Sequence, residues 1–185
     1  MMRHIIFTFA FAALFIFGGQ ALAQSNMPAN ILIVNGDKVF ANSLAGKSMA
    51  TQVQAQAQAL ISNRDKAQAE LEADSKKLEG QKTLLAPEVY STKADDLRLK
   101  QTAKNQELKR EQRKIELGQA NARAEINKVF VEIVQEVMKE KKATTVLDRR
   151  LVYGASPDID ITDIVLQRLD AKLKSVKVEP PATQN

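Results

Sequence analysis

Near the end of the chain three carboxylates lie close together, in Asp158-Ile159-Asp160-Ile161-Thr162-Asp163. Side chains of this type at this spacing could bind Ca2+ weakly, or could work as an acid and base pair. A calcium loop needs roughly six to eight oxygen ligands, and the sequence supplies no further ones nearby. The plainer reading is preferred: Asp158 and Asp160 belong to a turn, and Asp163 complements the positive end of a following helix. The rest of the catalytic vocabulary is missing. His4 is the single histidine, and the chain contains no Cys and no Trp. Beyond residue 23 this excludes Cys/His zinc sites, Cys or Ser-His nucleophiles, imidazole bases and disulfides. No Walker-type Gly-rich loop occurs either. The expectation is a protein without catalytic residues, metal or cofactor.

The other chemistry available is charge. Residues 97–114 carry seven Lys and Arg against Glu107 and Glu111, whereas residues 64–96 carry six against eight acids. Lys104, Lys109, Arg110 and Arg113 form the densest part of the basic stretch. If the two stretches lie side by side, they neutralise one another through solvated pairs worth a few tenths of a kcal/mol each. Alternatively, the basic stretch attracts acidic partners or anionic lipid head groups.

The elements that must carry these charges are helices. From Leu44 to Ala86 the chain is dominated by Ala, Gln, Glu, Lys and Leu, with Asn42-Ser43 as a helix start. A partial heptad of Val53, Leu60 and Ala67, alternating with Ala57, Leu71, Leu78 and Leu85, is broken by Arg64, Asp74 and Gln81. Pro87 is tolerated at a first helical position and disrupts an interior, so it marks a second helix after a reversal near residues 84–92. That helix is predicted to reach Lys141, and its far end bears the clearest apolar stripe: Ile126, Val129, Phe130, Ile133, Val134, Val137 and Met138. At ~1.5 Å per residue the two helices are roughly 65 and 80 Å long, so residues 44–141 form an arm that projects from any compact body. Gly118 reads either as a point of some bend or as nothing more than a helical glycine, which costs only about 1 kcal/mol.

Both ends of the chain differ from this arm. Arg3 and His4, an apolar run from Ile5 to Phe17 and the small-x-small triplet Ala21-Leu22-Ala23 describe an export signal over residues 1–23, cut after Ala23. The run spans only about 20 Å, short of the roughly 30 Å of a bilayer core. Gln24 stands where a lipid-bearing Cys would be needed. Removing the signal leaves 26 Lys and Arg against 22 Asp and Glu, and only Phe40, Phe130, Tyr90 and Tyr153 as aromatics. A large core is hard to build from that set.

In residues 24–43, Ile31 to Val34 read as a strand, followed by a turn-like Asn35-Gly36. In residues 142–173, Thr144–Asp148 and Leu151–Ala155 read as two strands joined tightly at Arg149-Arg150, and Thr162 can cap a last helix with Ile164, Val165, Leu169 and Leu173 on one face. Residues 174–185, with Pro180-Pro181, read as a disordered tail. The arm returns the chain to its origin, so strands containing Ile31, Ile33, Val146, Leu147, Val152 and Tyr153 can form one small sheet at its base. About three short strands with open edges need association to be stable.

These residues resemble the Skp/OmpH family of periplasmic chaperones of Gram-negative bacteria. The likeness lies in ILIVNGDKVFANSLAGK at the front and VLDRRLVYGASPDIDITDIVLQRL at the back, flanking the charged hairpin behind an export signal. Asn35 stands where many members have Asp. The resemblance implies a mainly α fold: a homotrimer whose small β-barrel body, built from strands of all three subunits, holds three coiled-coil-like arms around a cavity. It also implies an ATP-independent periplasmic holdase that keeps unfolded outer-membrane β-barrel proteins soluble before membrane insertion. Client contact would then fall on Leu71, Leu78, Leu84, Leu85, Val89, Leu97 and Leu99, together with Lys104, Lys109, Arg110 and Arg113. Leucines at helical spacing more often pack a hairpin than bind a ligand. Lipopolysaccharide or another anionic lipid is a further partner the resemblance allows. An envelope scaffold, using the arm to bind one folded partner, is the alternative. Nucleic acid is suggested only by the basic balance of the chain, and export argues against it.

Overall fold

The computed structural model describes residues 29–181. The export signal, with Ala21 and Ala23, and residues 182–185 lie outside the described residues. Six regular elements follow one another: β1 (Ile31–Val34), α1 (Gly36–Asn42), α2 (Leu44–Gly80), α3 (Pro87–Glu140), β2 (Thr145–Asp148) and α4 (Thr162–Lys172). Among the described residues the fold is mainly helical, with one two-stranded sheet.

Local signals account for the helix ends. Ser43 caps α2, its hydroxyl accepting from the Gly46 amide at 3.1 Å. Pro87 opens α3 in the first turn, where its missing N–H is no loss. At the other end of α3, Lys142 takes a left-handed backbone (φ 52°), and the Ala143 amide reaches back to the Met138 carbonyl at 2.9 Å. The Asn30 side-chain Nδ2 donates to the Lys141 carbonyl at 2.8 Å, and the Thr144 backbone amide to the Asn30 backbone carbonyl, also at 2.8 Å. The chain thus leaves α3 directly alongside β1.

β1 and β2 are parallel, with Leu32 opposite Val146 and Ile33 opposite Leu147. Parallel neighbours need a long crossover, which here is the whole helical hairpin. The core sits where this sheet meets the roots of the helices. Val39, Ala45, Ala122, Ile126, Ile133, Val137, Ile161, Val165 and Leu169 are fully buried there. The predicted stripe on α3 is therefore the core face, with Val129, Phe130 and Val134 packed at its edge. Phe40 and Phe130 meet at 5.9 Å, and the Arg123 guanidinium lies 5.4 Å from the Phe40 ring centre.

Four expectations are corrected. Asn35-Gly36 is a helix start, because the Asn35 side chain accepts from the Lys38 amide at 2.9 Å and so nucleates α1. The run Leu151–Ala155 is not a strand: Asp148 accepts from the Arg150 amide and guanidinium, curling Arg149–Leu151 into a 3-10 turn in place of a hairpin. Beyond the two strands, the only further bridge to β1 among the described residues runs from Ile33 to Asp160. Thr162 does not cap α4 but is its first residue; Ile161 stands at the cap without a side-chain cap bond, and Asp160 just before it accepts from the Thr162 amide at 2.9 Å. Finally, the start of the tail is not disordered, since Val176 and Val178 are buried in the core cluster.

Candidate functional site

The arm consists of α2 against α3, about 55 and 80 Å long at ~1.5 Å per residue. Beyond its root, α2 turns Val53, Gln56, Leu60, Ala67, Leu71, Asp74 and Leu78 inward, followed by Gln81 and Leu85 in the reversal, a heptad-like spacing interrupted at exposed Asn63 and Arg64. The interruption foreseen at Asp74 is accommodated by chemistry: Lys100 Nζ from α3 lies 2.7 Å from both Asp74 Oδ2 and Glu70 Oε1. Hydrogen bonds to Asp74 and then Glu70 hold the Lys100 ammonium above its ordinary pKa. These two ion pairs, both of Lys100, are the only ones between the two limbs among the described residues. Mutual neutralisation of the limbs is thus local to Lys100.

The predicted apolar residues divide into two groups. Leu71, Leu78, Leu85 and Leu97 are half-buried along the seam. Leu84, at the tip, is 80 % exposed, Leu99 is 67 % exposed, and Val89 is exposed as well. Beside the seam a cleft of about 570 Å3 opens between Ala67, Gln68, Leu71, Leu97, Lys104 and Leu108. The small Ala67 and the short polar side chains of Ser75 and Asn105 leave room there.

Of the basic residues, Lys104 is half-buried and pairs with Glu107 on its own helix at 3.2 Å. Lys109, Arg110 and Arg113 are exposed, and none makes an ion pair among the described residues.

At the base, Ile33 is buried inside the subunit's own core and offers no outer surface. Ile31 is exposed, whereas Val146, Leu147 and Val152 are half-buried. Tyr153 is fully exposed, and Leu151, which sequence reading passed over, is 77 % exposed. Two bulky apolar side chains with Val152 between them, on a 3-10 turn and its exit, are left uncovered.

The acidic cluster has local partners throughout. Asp158 accepts from the Ser156 hydroxyl, Asp163 pairs with Lys38 at 2.9 Å, and Asp160 accepts from Thr162. Burial works against the Asp160 anion, but the Thr162 hydroxyl and amide, followed by Arg149 and Lys38, outweigh it and leave the carboxyl below its usual pKa. Among the described residues no three metal-capable side chains cluster.

A second arrangement had no signal in periodicity. Past α4, residues 174–179 cross the root of the arm. Gln52 Nε2 donates to the Val176 carbonyl at 2.7 Å while Gln52 Oε1 accepts from the Val178 amide at 3.1 Å. Gln56 donates to the Val178 carbonyl at 3.0 Å and Asn121 to that of Glu179 at 3.3 Å. A Cβ on Gly118 would sit 2.9 Å from the Val178 backbone. Gly118 thus gives this segment room to cross.

A long charged hairpin rooted in a small mixed body defines a helical-arm protein. The sequence model of the outer membrane protein (OmpH-like) family matches residues 30–169, and the chain belongs to that family. Its fold is similar to that of a candidate outer membrane chaperone (OmpH-like) from Caulobacter crescentus CB15, seen in a crystal structure. The TM-score is 0.76 and the identity 24 %, over 85 % of this chain and 94 % of the other. No curated protein matches.

Proposed function

We propose that the protein is a periplasmic, ATP-independent holdase, exported by its first 23 residues. Three copies associate through the base, around Ile31, Leu151, Val152 and Tyr153, in a shared barrel that places three arms about a cavity. Unfolded outer-membrane β-barrel proteins are held between the arms. The protein binds and does not catalyse. Family membership and the fold shared with a candidate outer membrane chaperone support this reading.

The observation that carries it is the surface of the arm. Exposed Leu84, Val89 and Leu99 are spread among charges toward the tip, and about 15 Å further along α3 from Leu99 Lys109, Arg110 and Arg113 are exposed and make no ion pair among the described residues. Scattered apolar side chains of this kind grip an unfolded chain without imposing one geometry, and the basic row draws acidic segments or anionic lipid, including lipopolysaccharide. The test is native mass spectrometry of the chain lacking residues 1–23, mixed with an outer-membrane barrel protein diluted from urea. A complex of three copies with one client is expected, together with suppressed light scattering. A stable oligomer that ignores the unfolded barrel would favour a scaffold that binds a folded partner.

A further inference from the structure

The segment from Val176 to Glu179 lies beyond the part of the chain matched by the family, yet it is bound in a specific way. The Gln52 amide donates to one backbone carbonyl and accepts from the amide two residues on. This is the exchange that a neighbouring β-strand makes with its partner. Ser48 steadies the Gln52 side chain through its carbonyl at 3.3 Å and its hydroxyl at 3.1 Å. Gln56 and Asn121 add two more bonds, again to carbonyls. Gly118 admits the backbone where any side chain would collide.

All of these contacts read main chain. Side chains are selected only at Val176 and Val178, which are buried, while Ser175, Lys177 and Glu179 are exposed. Alternating burial with backbone hydrogen bonding is how extended peptides are recognised, and it tolerates most sequences that keep the alternation. The occupant is short by construction. Pro180 and Pro181 have no N–H with which to extend the pairing.

We propose that Gln52, Gln56, Gly118 and Asn121 form a recognition site for extended polypeptide with apolar residues at alternate positions, and that Val176–Glu179 is its resident, displaceable occupant. Resting on the holdase reading, this names the client feature the site takes: alternation of period two is the pattern of a membrane-spanning β-strand. The tail keeps the site closed until a client strand replaces it.

The experiment uses the chain without residues 1–23 and its V176D/V178D variant, in which the tail is expelled and the site is intact. The probe is a fluorescein-labelled peptide of residues 174–181. The variant should bind it at least tenfold more tightly than the unmodified chain, and adding Gln52→Ala should remove that binding. An unlabelled peptide alternating Val and Thr should compete, while one with Asp in place of Val should not. A folded variant of unchanged oligomer size that ignores the probe overturns the proposal. In the unmodified chain, hydrogen exchange at the Val178 amide should accelerate at least tenfold with saturating unfolded barrel protein. Suppressed aggregation with unchanged exchange overturns the proposal and leaves the holdase standing. If aggregation is not suppressed at all, the holdase reading fails and the peptide titration alone decides the site.

Discussion

The Asn35 amide donates to the Thr162 hydroxyl at 2.9 Å, and that hydroxyl in turn donates to Asp160. One side chain thereby ties the first strand and helix to the last helix across 127 residues of sequence. Thr162 is 3 % exposed, so water cannot replace it. Thr162→Val keeps the shape and strands the Asn35 amide, at a cost of about 1–3 kcal/mol. The urea midpoint should fall with no change of slope, and Thr162→Ser should restore it.

Asp160 makes the same junction acid-sensitive. Its folded-state pKa lies below the unfolded value of about 4, so its contribution is complete above that pH and is lost as pH falls through the depressed folded value. Melting temperature measured from pH 7 to 3 should drop on the acid side. Asp160→Asn should lower it at neutral pH and flatten the limb below about pH 4. Equal acid slopes in both proteins would remove Asp160 from the account.

Leu151 and Tyr153 are exposed in the single chain, so replacing them disturbs no packing within the subunit. L151D/Y153D should retain the helical circular dichroism of the parent and sediment as a monomer. A trimer of undiminished stability would mean that association uses another surface. Val146 gives a less clean answer, because it also packs against the subunit's own core.

On the proposed holdase reading, Lys109, Arg110 and Arg113 act through long-range charge. Replacing all three with Gln should weaken client binding about tenfold at ~0.01 M ionic strength, where the screening length is ~30 Å. The difference should vanish near 1 M, where that length is ~3 Å. Fluorescence anisotropy of a labelled unfolded barrel protein, titrated at both salts, measures this. An equal loss at both would point to helix damage.

The arm was legible because its determinants are local. Helix-forming composition, the Ser43 cap, Pro87 at a first turn and the 3.6-residue stripe from Ile126 to Val137 act over a few residues each, and they set α2, α3 and the core face. The family resemblance was legible in the two flanking segments for a similar reason: their residue order survives without any knowledge of contacts.

Tertiary structure decided the rest. Nothing in the spacing of Leu151 and Tyr153 shows that Asp148 curls the chain before them, because an acid at that position suits strand and turn alike. Lys100 between Glu70 and Asp74 depends on the register of two helices that neither sequence segment encodes alone. Gln52 and Val178 are 126 residues apart, and a polar residue on a helix bound to a backbone amide leaves no mark on hydrophobic periodicity. Short-range preferences fix which segments are helical; contacts made by single polar side chains across the whole chain fix where the ends are fastened, and those exist only once the fold has brought them together.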